Sequence, residues 1–288
     1  MTEDRDIGRR GREHRAAGRR KRLRVTLLLL PPILVGGLFW GQKYLVFQPF
    51  EKIETRPDQF GIAYENIALV TSDGVTLDAW YVPGPEGSRK ILFFHGNAGN
   101  MSHRVQTLLV LRQLGHSVLI IDYRGYGQSE GSPSESGLYA DGEAAWRYLV
   151  EQRHTDPEEI VVYGRSLGGP VAAKIAAAHK PRALIVESTF TSMADMGGYH
   201  YPYLGGRWLS RYDFDTEKYL NEVDAPILIA ASPDDEIVPF EFGQRLLAAT
   251  GANAAFFTLS GTHNTAFHQS GMNYFRALDR FIRSATID

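Results

Sequence analysis

The stretch IVVYGRSLGGP, residues 160–170, decides how this chain folds. It opens with β-branched and aromatic residues, which are typical of a short buried strand, and residues 170–178 then predict a helix. The chain must turn sharply at Ser166, and Gly164 and Gly168 remove the Cβ atoms that would clash in such a turn. A serine at this apex points its hydroxyl away from the sheet, which predicts that Ser166 is a nucleophile. The alternative is a glycine-rich turn that only connects the two elements.

Strand-like and helix-like segments alternate on both sides of this turn. Before them, residues 66–71 and 76–82 flank Asp73-Gly74, a pair that predicts a hairpin. The alternation predicts an α/β fold, with a mostly parallel central sheet covered by helices on both faces and a small lid at about residues 190–222. Ligands of such folds bind at the carboxyl ends of the strands. The predicted parallel strands are residues 90–94, 117–122, 160–163, 183–187, 226–231 and 254–258, and the predicted helices are 101–114, 136–152, 167–179, 240–249 and 265–284.

A nucleophilic serine needs a base, a group that orients the base, and donors for the oxyanion. The segment SPDDEIVP, residues 232–239, follows one predicted strand, and GTHN, residues 261–264, follows the next. We therefore expect His263 to be the base and Asp235 the acid that orients it. His268 is the alternative base. Asp234 is the alternative acid, and a solvated acidic turn is the alternative to any catalytic role there.

Two further loops follow predicted strands. The small residues of HGNAGN, residues 95–100, leave backbone N–H groups accessible, so we expect the amides of Asn97 and Leu167 to form an oxyanion hole. We expect His95 to brace this loop through hydrogen bonds. The loop DYRGYGQS, residues 122–129, is expected to be a scaffold held by a buried Arg–Asp pair.

The composition limits the classes of function. Hydrophobic residues make up 43% of the 288 residues, which is enough for a sizeable core. Residues 1–24 carry ten Lys/Arg and four Asp/Glu, so a net charge of −2 for the whole chain leaves a mildly acidic body. That body gives no reason to expect nucleic acid as a partner. The absence of cysteine excludes disulfides, thiolate metal sites and a cysteine nucleophile.

The amino terminus predicts a membrane anchor. Residues 1–24 form a basic segment, residues 25–47 form a hydrophobic anchor, and residues 48–65 form a linker to a catalytic domain at 66–288. Basic residues stay in the cytoplasm, so the domain would lie on the other side of the membrane. A sequon at Asn100 would place a glycan beside the site, which favours a bacterial inner-membrane protein facing the periplasm. A cleaved signal peptide and a hydrophobic arm lying on the domain are the alternatives.

The motifs together resemble a known group of enzymes. HGNAGN, DYRGYGQSEGSPSESGL, YGRSLGG, ESTFTS, SPDDEIVP and GTHN occur in this order. They resemble those of the membrane-anchored serine hydrolases of the α/β-hydrolase superfamily, an abhydrolase-domain group often filed with serine-aminopeptidase-like hydrolases. The resemblance covers about residues 67–282 and implies catalytic Ser166, Asp235 and His263. Relatives include lipid esterases and acyl-protein thioesterases. Ser232 stands where many relatives have glycine.

We therefore expect a serine hydrolase that cleaves carboxylic esters or thioesters of small molecules or lipids through an acyl-enzyme, with no cofactor and no metal. Aromatic lid residues above Ser166 would favour an apolar acyl group, and Tyr199, Tyr201 and Tyr203 are the candidates. Alternatively, these rings only cover the sheet. A peptidase or other amide hydrolase, and a membrane-tethered binding module without catalysis, are the alternative functions.

Overall fold

The computed structural model describes residues 36–37 and 39–285. The predicted basic segment and residues 25–35 of the predicted anchor lie outside this range. Residues 36–37 and 39–46 are helical, and the chain divides into two compact units between Leu45 and Val46. Within the described residues, no helix combines the length and the apolar character that a membrane crossing requires.

An eight-stranded sheet forms the centre of the second unit, in the order β10-β9-β8-β7-β4-β6-β3-β2. The hairpin of β2 and β3 is antiparallel and turns at Gly74, whose φ of 83° suits glycine. Each neighbouring pair from β10 through β9, β8, β7 and β4 to β6 is parallel. Only β6 with β3 and β3 with β2 pair antiparallel in this sheet, so the predicted mostly parallel sheet is confirmed. Its strands are β2 (Glu65–Val70), β3 (Thr76–Val82), β4 (Lys90–Phe94), β6 (Ser117–Ile121), β7 (Ile160–Arg165), β8 (Ala183–Glu187), β9 (Ile227–Ala231) and β10 (Ala254–Thr258).

Helices cover both faces of the sheet because its central strands are apolar on both sides. Leu92 and Phe94 of β4 belong to one buried cluster, whereas Ile91 and Phe93 belong to the other, as the twofold alternation of a strand requires. The first cluster includes residues of α2, α3, α5 and α6, and the second includes residues of α1 and α8. The helices are α1 (Val105–Gln113), α2 (Glu135–Arg147), α3 (Gly168–His179), α4 (Met193–His200), α5 (Thr216–Leu220), α6 (Phe240–Thr250), α7 (Ala266–Gln269) and α8 (Gly271–Ser284).

The carboxyl-terminal helix differs from its prediction. The sequence predicts one helix over residues 265–284, but the structure has two, α7 and α8, separated at Ser270. The physical reason is the backbone of Gly271, whose φ of 57° is left-handed and cannot continue a right-handed helix. The break lets α7 begin just after the loop that carries His263.

The segment Val46–Lys52, which we call the strap, packs against the body that carries the eight-stranded sheet. It contains β1 (Gln48–Pro49), which pairs in parallel with β5 (Ala98–Gly99). Phe47 is buried, and its ring centroid lies 5.2 Å from that of Tyr212 and 6.1 Å from that of Phe214. Most of the strap falls in the range that the sequence predicts to be a linker, and here it forms part of the compact unit that starts at Val46.

Phe47→Ala should destabilise the folded body, because it removes a buried ring and leaves a cavity beside Tyr212 and Phe214. The expected loss in the free energy of unfolding is about 3 kcal/mol. Thermal unfolding of the purified full chain measures it. Phe60→Ala is the control, since this side chain is largely exposed, and it should change the unfolding temperature little. Equal effects of the two substitutions would show that the strap does not belong to the folded core.

Candidate functional site

Ser166 lies on a strained turn between β7 and α3. Its φ is 52°, a left-handed value that is unusual for serine. A Cβ on Gly164 would lie 2.3 Å from the carbonyl oxygen of Gly168, so this position requires glycine. The backbone of Ser166 is held by hydrogen bonds: its N–H donates to the Glu187 carbonyl at 2.9 Å, and its carbonyl accepts from the Thr189 hydroxyl at 2.8 Å. These contacts fix the turn in its strained form.

A histidine and an aspartate are aligned with the Ser166 hydroxyl. His263 Nε2 lies 3.1 Å from Ser166 Oγ, and His263 Nδ1 lies 2.8 Å from Asp235 Oδ2. The second carboxylate oxygen, Oδ1, accepts hydrogen bonds from the N–H groups of Ile237 at 2.9 Å and Val238 at 2.8 Å. Both side chains of the His–Asp pair are almost fully buried. The structure thus brings together the three residues that the sequence singles out.

The alternative residues occupy other positions. Asp234 is exposed, and its backbone N–H donates to the Ser232 hydroxyl at 3.2 Å. Glu236 accepts a hydrogen bond from the backbone N–H of His263 at 2.9 Å, so it holds the histidine loop rather than the imidazole. His268 lies in α7, where burial lowers the pKa of its imidazole. Among these neighbours, none takes the place of Asp235 or His263 beside Ser166 in the described structure.

The loop after β4 approaches the serine closely. A Cβ placed on Gly96 would lie 3.3 Å from the Cβ of Ser166, so the loop touches the turn. Within the described part of the chain, the backbone N–H groups of Asn97 and Leu167 donate to no other protein group. Leu167 also immediately precedes α3, where the helix dipole favours negative charge. These two amides are therefore available donors at the place where an oxyanion hole was predicted.

The strap holds the loop that carries Asn97. The Gln48 N–H donates to the Asn97 carbonyl at 3.2 Å, and the Asn97 side-chain amide donates to the Val46 carbonyl at 3.3 Å. On the other side, the Tyr126 hydroxyl donates to the same Asn97 carbonyl at 2.9 Å. Sequence reasoning missed this role of the strap, because contacts between segments about fifty positions apart leave no local pattern.

His95 and Arg124 are buried in the scaffold behind the site. His95 Nδ1 lies 2.7 Å from the Gly96 carbonyl, and the Tyr123 hydroxyl donates to the His95 carbonyl at 2.9 Å. Arg124 forms a buried ion pair with Asp141 at 2.8 Å and a second pair with the half-exposed Asp73 at 2.7 Å, and neither partner is the neighbouring Asp122 of its own loop. Burial raises the pKa of the Asp141 carboxyl to about 6, against the opposing effect of the Arg124 hydrogen bonds.

A buried polar network lies behind the histidine loop, and sequence reasoning missed it. Arg165, beside the candidate nucleophile, donates from Nη2 to the His263 carbonyl at 2.6 Å, and its Nε lies 3.1 Å from Glu187 Oε1. The hydroxyls of Tyr274, at 2.8 Å, and Tyr163 both donate to Glu187 Oε2. Burial, reinforced by the Glu187 charge, raises the pKa of both tyrosines, so they stay protonated as donors. The sequence signal that could have indicated this network is Arg165, a charged residue within the motif beside Ser166.

The predicted substrate-binding tyrosines lie on the exterior of the lid. The exposed fractions of the Tyr199, Tyr201 and Tyr203 side chains are 58%, 49% and 100%. Their contact with substrate stays a prediction. The alternative, that these rings only cover the sheet, also stays a prediction, since the ring centroid of Tyr199 lies 6.1 Å from that of Phe242.

The fold and the arranged groups define an α/β hydrolase, and comparisons with known proteins agree. Residues 90–228 match the family model described as the alpha/beta hydrolase fold. An uncharacterized membrane protein of Saccharomyces cerevisiae is 34% identical over 259 residues, covering 85% of this chain and 90% of that protein. The lysophosphatidylserine lipase ABHD12 of Danio rerio is 32% identical over 289 residues, covering 84% of this chain and 75% of that protein.

A solved structure gives the same result for the fold. The esterase Pf2001 of Pyrococcus furiosus superimposes with a TM-score of 0.68 at 19% identity, covering 83% of this chain and 97% of the esterase. The alpha/beta hydrolase domain-containing protein WAV2 of Arabidopsis thaliana is 36% identical over 250 residues, covering 78% of this chain and 80% of that protein. The chain therefore belongs to the alpha/beta hydrolase family.

Arg165→Met should lower kcat for a p-nitrophenyl ester by about 10²-fold, because a small displacement of the His263 loop misaligns the imidazole. KM should change little, since Arg165 is not expected to contact substrate. Arg165→Lys should restore only part of the rate, because an ammonium cannot reproduce the fork that reaches both Glu187 and His263.

Arg182→Met is the matched control, because Arg182 also donates to backbone carbonyls, those of Ile282 and Arg283, but does so elsewhere in the structure. Its kcat should stay near that of the wild type. A parallel loss of kcat in both variants, or a change in KM alone for Arg165→Met, would contradict a positioning role.

Proposed function

We propose that this protein is a serine hydrolase that cleaves carboxylic esters or thioesters through an acyl-enzyme intermediate. The observation that supports it most is the hydrogen-bonded series Asp235–His263–Ser166, with separations of 2.8 and 3.1 Å, beside two unpaired backbone amides. The family membership supports the same chemistry, and relatives carry the names of a lipase and an esterase.

In the proposed reaction, the Ser166 hydroxyl attacks the substrate carbonyl carbon while His263 Nε2 takes its proton. The N–H groups of Asn97 and Leu167 donate to the oxyanion that forms. The tetrahedral intermediate collapses, His263 returns the proton to the departing alcohol or thiol, and the acyl group stays on Ser166 Oγ. Water then attacks the acyl-enzyme with His263 again as base. Asp235 holds the imidazole with its Nδ1–H directed toward the carboxylate.

We assign to the substrate a lipid-like acyl group. The relative named lysophosphatidylserine lipase supports a lipid ester. The described chain contains no cluster of three or more His, Cys, Asp or Glu suited to a metal ion. The proposed steps use only groups of this chain.

We also propose that residues 25–45 anchor the protein in the inner membrane, with the catalytic domain in the periplasm; Val46 and Phe47, which the predicted anchor included, belong to the compact body instead. The uncharged run at 25–40 and the Arg-rich residues before it support this orientation. A yeast relative that carries the name membrane protein supports membrane association.

Ser166→Ala should abolish covalent labelling by a fluorophosphonate and reduce ester hydrolysis to the small remainder that the oxyanion hole alone can support. In-gel fluorescence of the labelled protein and a chain-length series of p-nitrophenyl esters provide the two measurements, and a p-nitroanilide series tests amide cleavage. The variant should unfold at the temperature of the wild type. A folded wild-type protein that takes up no probe would favour the binding-module alternative.

Neighbouring residues of the same type provide matched tests of the base and the acid. His263→Ala should lower turnover by orders of magnitude, whereas His268→Ala should lower it less than about tenfold, because only the base transfers the proton. Asp235→Asn should cost far more than Asp234→Asn, since only Asp235 contacts the imidazole. Steady-state kinetics on one short ester measures all four variants, and equal losses within either pair would contradict the assignment.

A further inference from the structure

The lid exposes an unusual concentration of aromatic and apolar side chains. Trp208 is 87% exposed and Tyr203 is fully exposed, whereas most of the other large apolar side chains in the described residues are buried. Scattered single apolar residues on a surface need no explanation, but a cluster within ten positions does. We call this cluster the lid face, which consists of Tyr199, Tyr201, Tyr203, Leu204 and Trp208.

Polar contacts hold the lid to the rest of the body. Arg207 Nη1 lies 2.8 Å from Asp195 Oδ1, and Arg245 Nη2 of α6 lies 3.0 Å from Asp195 Oδ2. His200 Nε2 lies 2.8 Å from the Ile237 carbonyl. The polar groups of the lid thus bind inward to the protein, while its aromatic rings extend outward. The lid face is therefore exposed in a segment that ion pairs and a hydrogen bond hold in place.

The lid face lies at the edge of the body that carries the candidate site. Ile237, whose carbonyl contacts the lid, is two residues from Asp235 and binds its carboxylate through the backbone N–H. At the far end of the lid, Tyr212 packs against Phe47 of the strap, and the strap contacts the Asn97 loop. The polypeptide therefore enters the catalytic body at this same edge.

We propose that the lid face docks onto the surface of a lipid bilayer, an inference that rests on the proposed function. Three observations select a bilayer as the occupant. The exposed rings are Trp and Tyr, which prefer the boundary between headgroups and acyl chains. Residues 196–212 include Arg207 and Arg211 and no Asp or Glu; the acidic residues that flank this span are Asp195, which is paired with Arg207 and Arg245, and the exposed Asp213. Finally, the uncharged run at 25–40 ends a few residues before the strap.

Docking in this orientation has a consequence for the substrate. The edge with Ser166, the Asn97 loop and the lid would face the membrane. An acyl chain could then pass from the bilayer to the Ser166 hydroxyl along the lid without crossing bulk water, which costs about 0.8 kcal/mol for each exposed CH₂ group.

The lack of native cysteine allows a direct test in the full chain. The variants Leu204→Cys and Met272→Cys each provide one thiol for an environment-sensitive fluorophore. The native side chains are similarly exposed, Leu204 at 55% and Met272 at 56%, but only Leu204 belongs to the lid face, so Met272→Cys is the matched control. The labelled proteins are reconstituted into phosphatidylcholine–phosphatidylglycerol vesicles with or without bromine on the acyl chains. We expect a blue shift and bromine quenching at position 204 and neither at position 272. Fluorophosphonate labelling of the same samples reports the proposed function independently.

An activity measurement complements the fluorescence. Leu204→Glu should lower hydrolysis of an ester embedded in vesicles by about tenfold or more, because the protein would lose the free energy gained when the leucine side chain enters the bilayer. The same substitution should leave hydrolysis of a short soluble ester unchanged. Met272→Glu should change neither rate. The proposal would be overturned if bromine did not quench the fluorophore at position 204, or if the protein did not float with vesicles. A blue shift at position 204 without quenching would indicate contact with another protein and would also overturn it. Docking without fluorophosphonate labelling would instead sustain the proposal while refuting the hydrolase.

Discussion

The strained backbone at Ser166 is the constraint on which the rest of the candidate site depends. A left-handed serine is stable only where neighbouring backbone segments approach closely enough to hold it. Glycine makes that approach possible: a Cβ on Gly168 would lie 2.1 Å from the carbonyl oxygen of Phe94 at the end of β4. The turn after β7 therefore presses against the end of β4. That contact brings the Asn97 loop beside the serine hydroxyl, so one steric requirement places both the candidate nucleophile and the candidate oxyanion donors.

The histidine needs a separate explanation, because its loop comes from the opposite part of the sequence. Three contacts hold it from different directions. Asp235 binds the imidazole, Glu236 binds the His263 N–H, and Arg165 binds the His263 carbonyl. Arg165 in turn is balanced by Glu187, whose other oxygen accepts from two buried tyrosines. A buried charge that is paired and hydrogen-bonded in this way resists displacement, because moving either partner would leave the other charge uncompensated.

The same edge of the body also connects the site to the preceding chain. The strap supports the Asn97 loop through the Gln48 and Val46 backbone, while Phe47 packs against the end of the lid at Tyr212. A short segment thus contacts both the Asn97 loop and the lid. If residues 25–45 lie in a membrane, the edge with the candidate site is held close to the bilayer by covalent connection, and the exposed rings of the lid face are suited to that boundary.

The sequence by itself determined much of this protein, because several features are encoded locally. The alternation of apolar strands and helices determined the α/β class, and the glycines around Ser166 determined the sharp turn, since both depend on neighbours along the chain. Motif order selected Asp235 and His263. Only the tertiary structure decided that Arg165 and Glu187 hold the histidine loop, that the strap supports Asn97, and that Arg124 pairs with Asp141. It also placed the lid tyrosines outward. These contacts join residues that are distant in the chain, and their distances are set by how the sheet and helices pack, which no local pattern records.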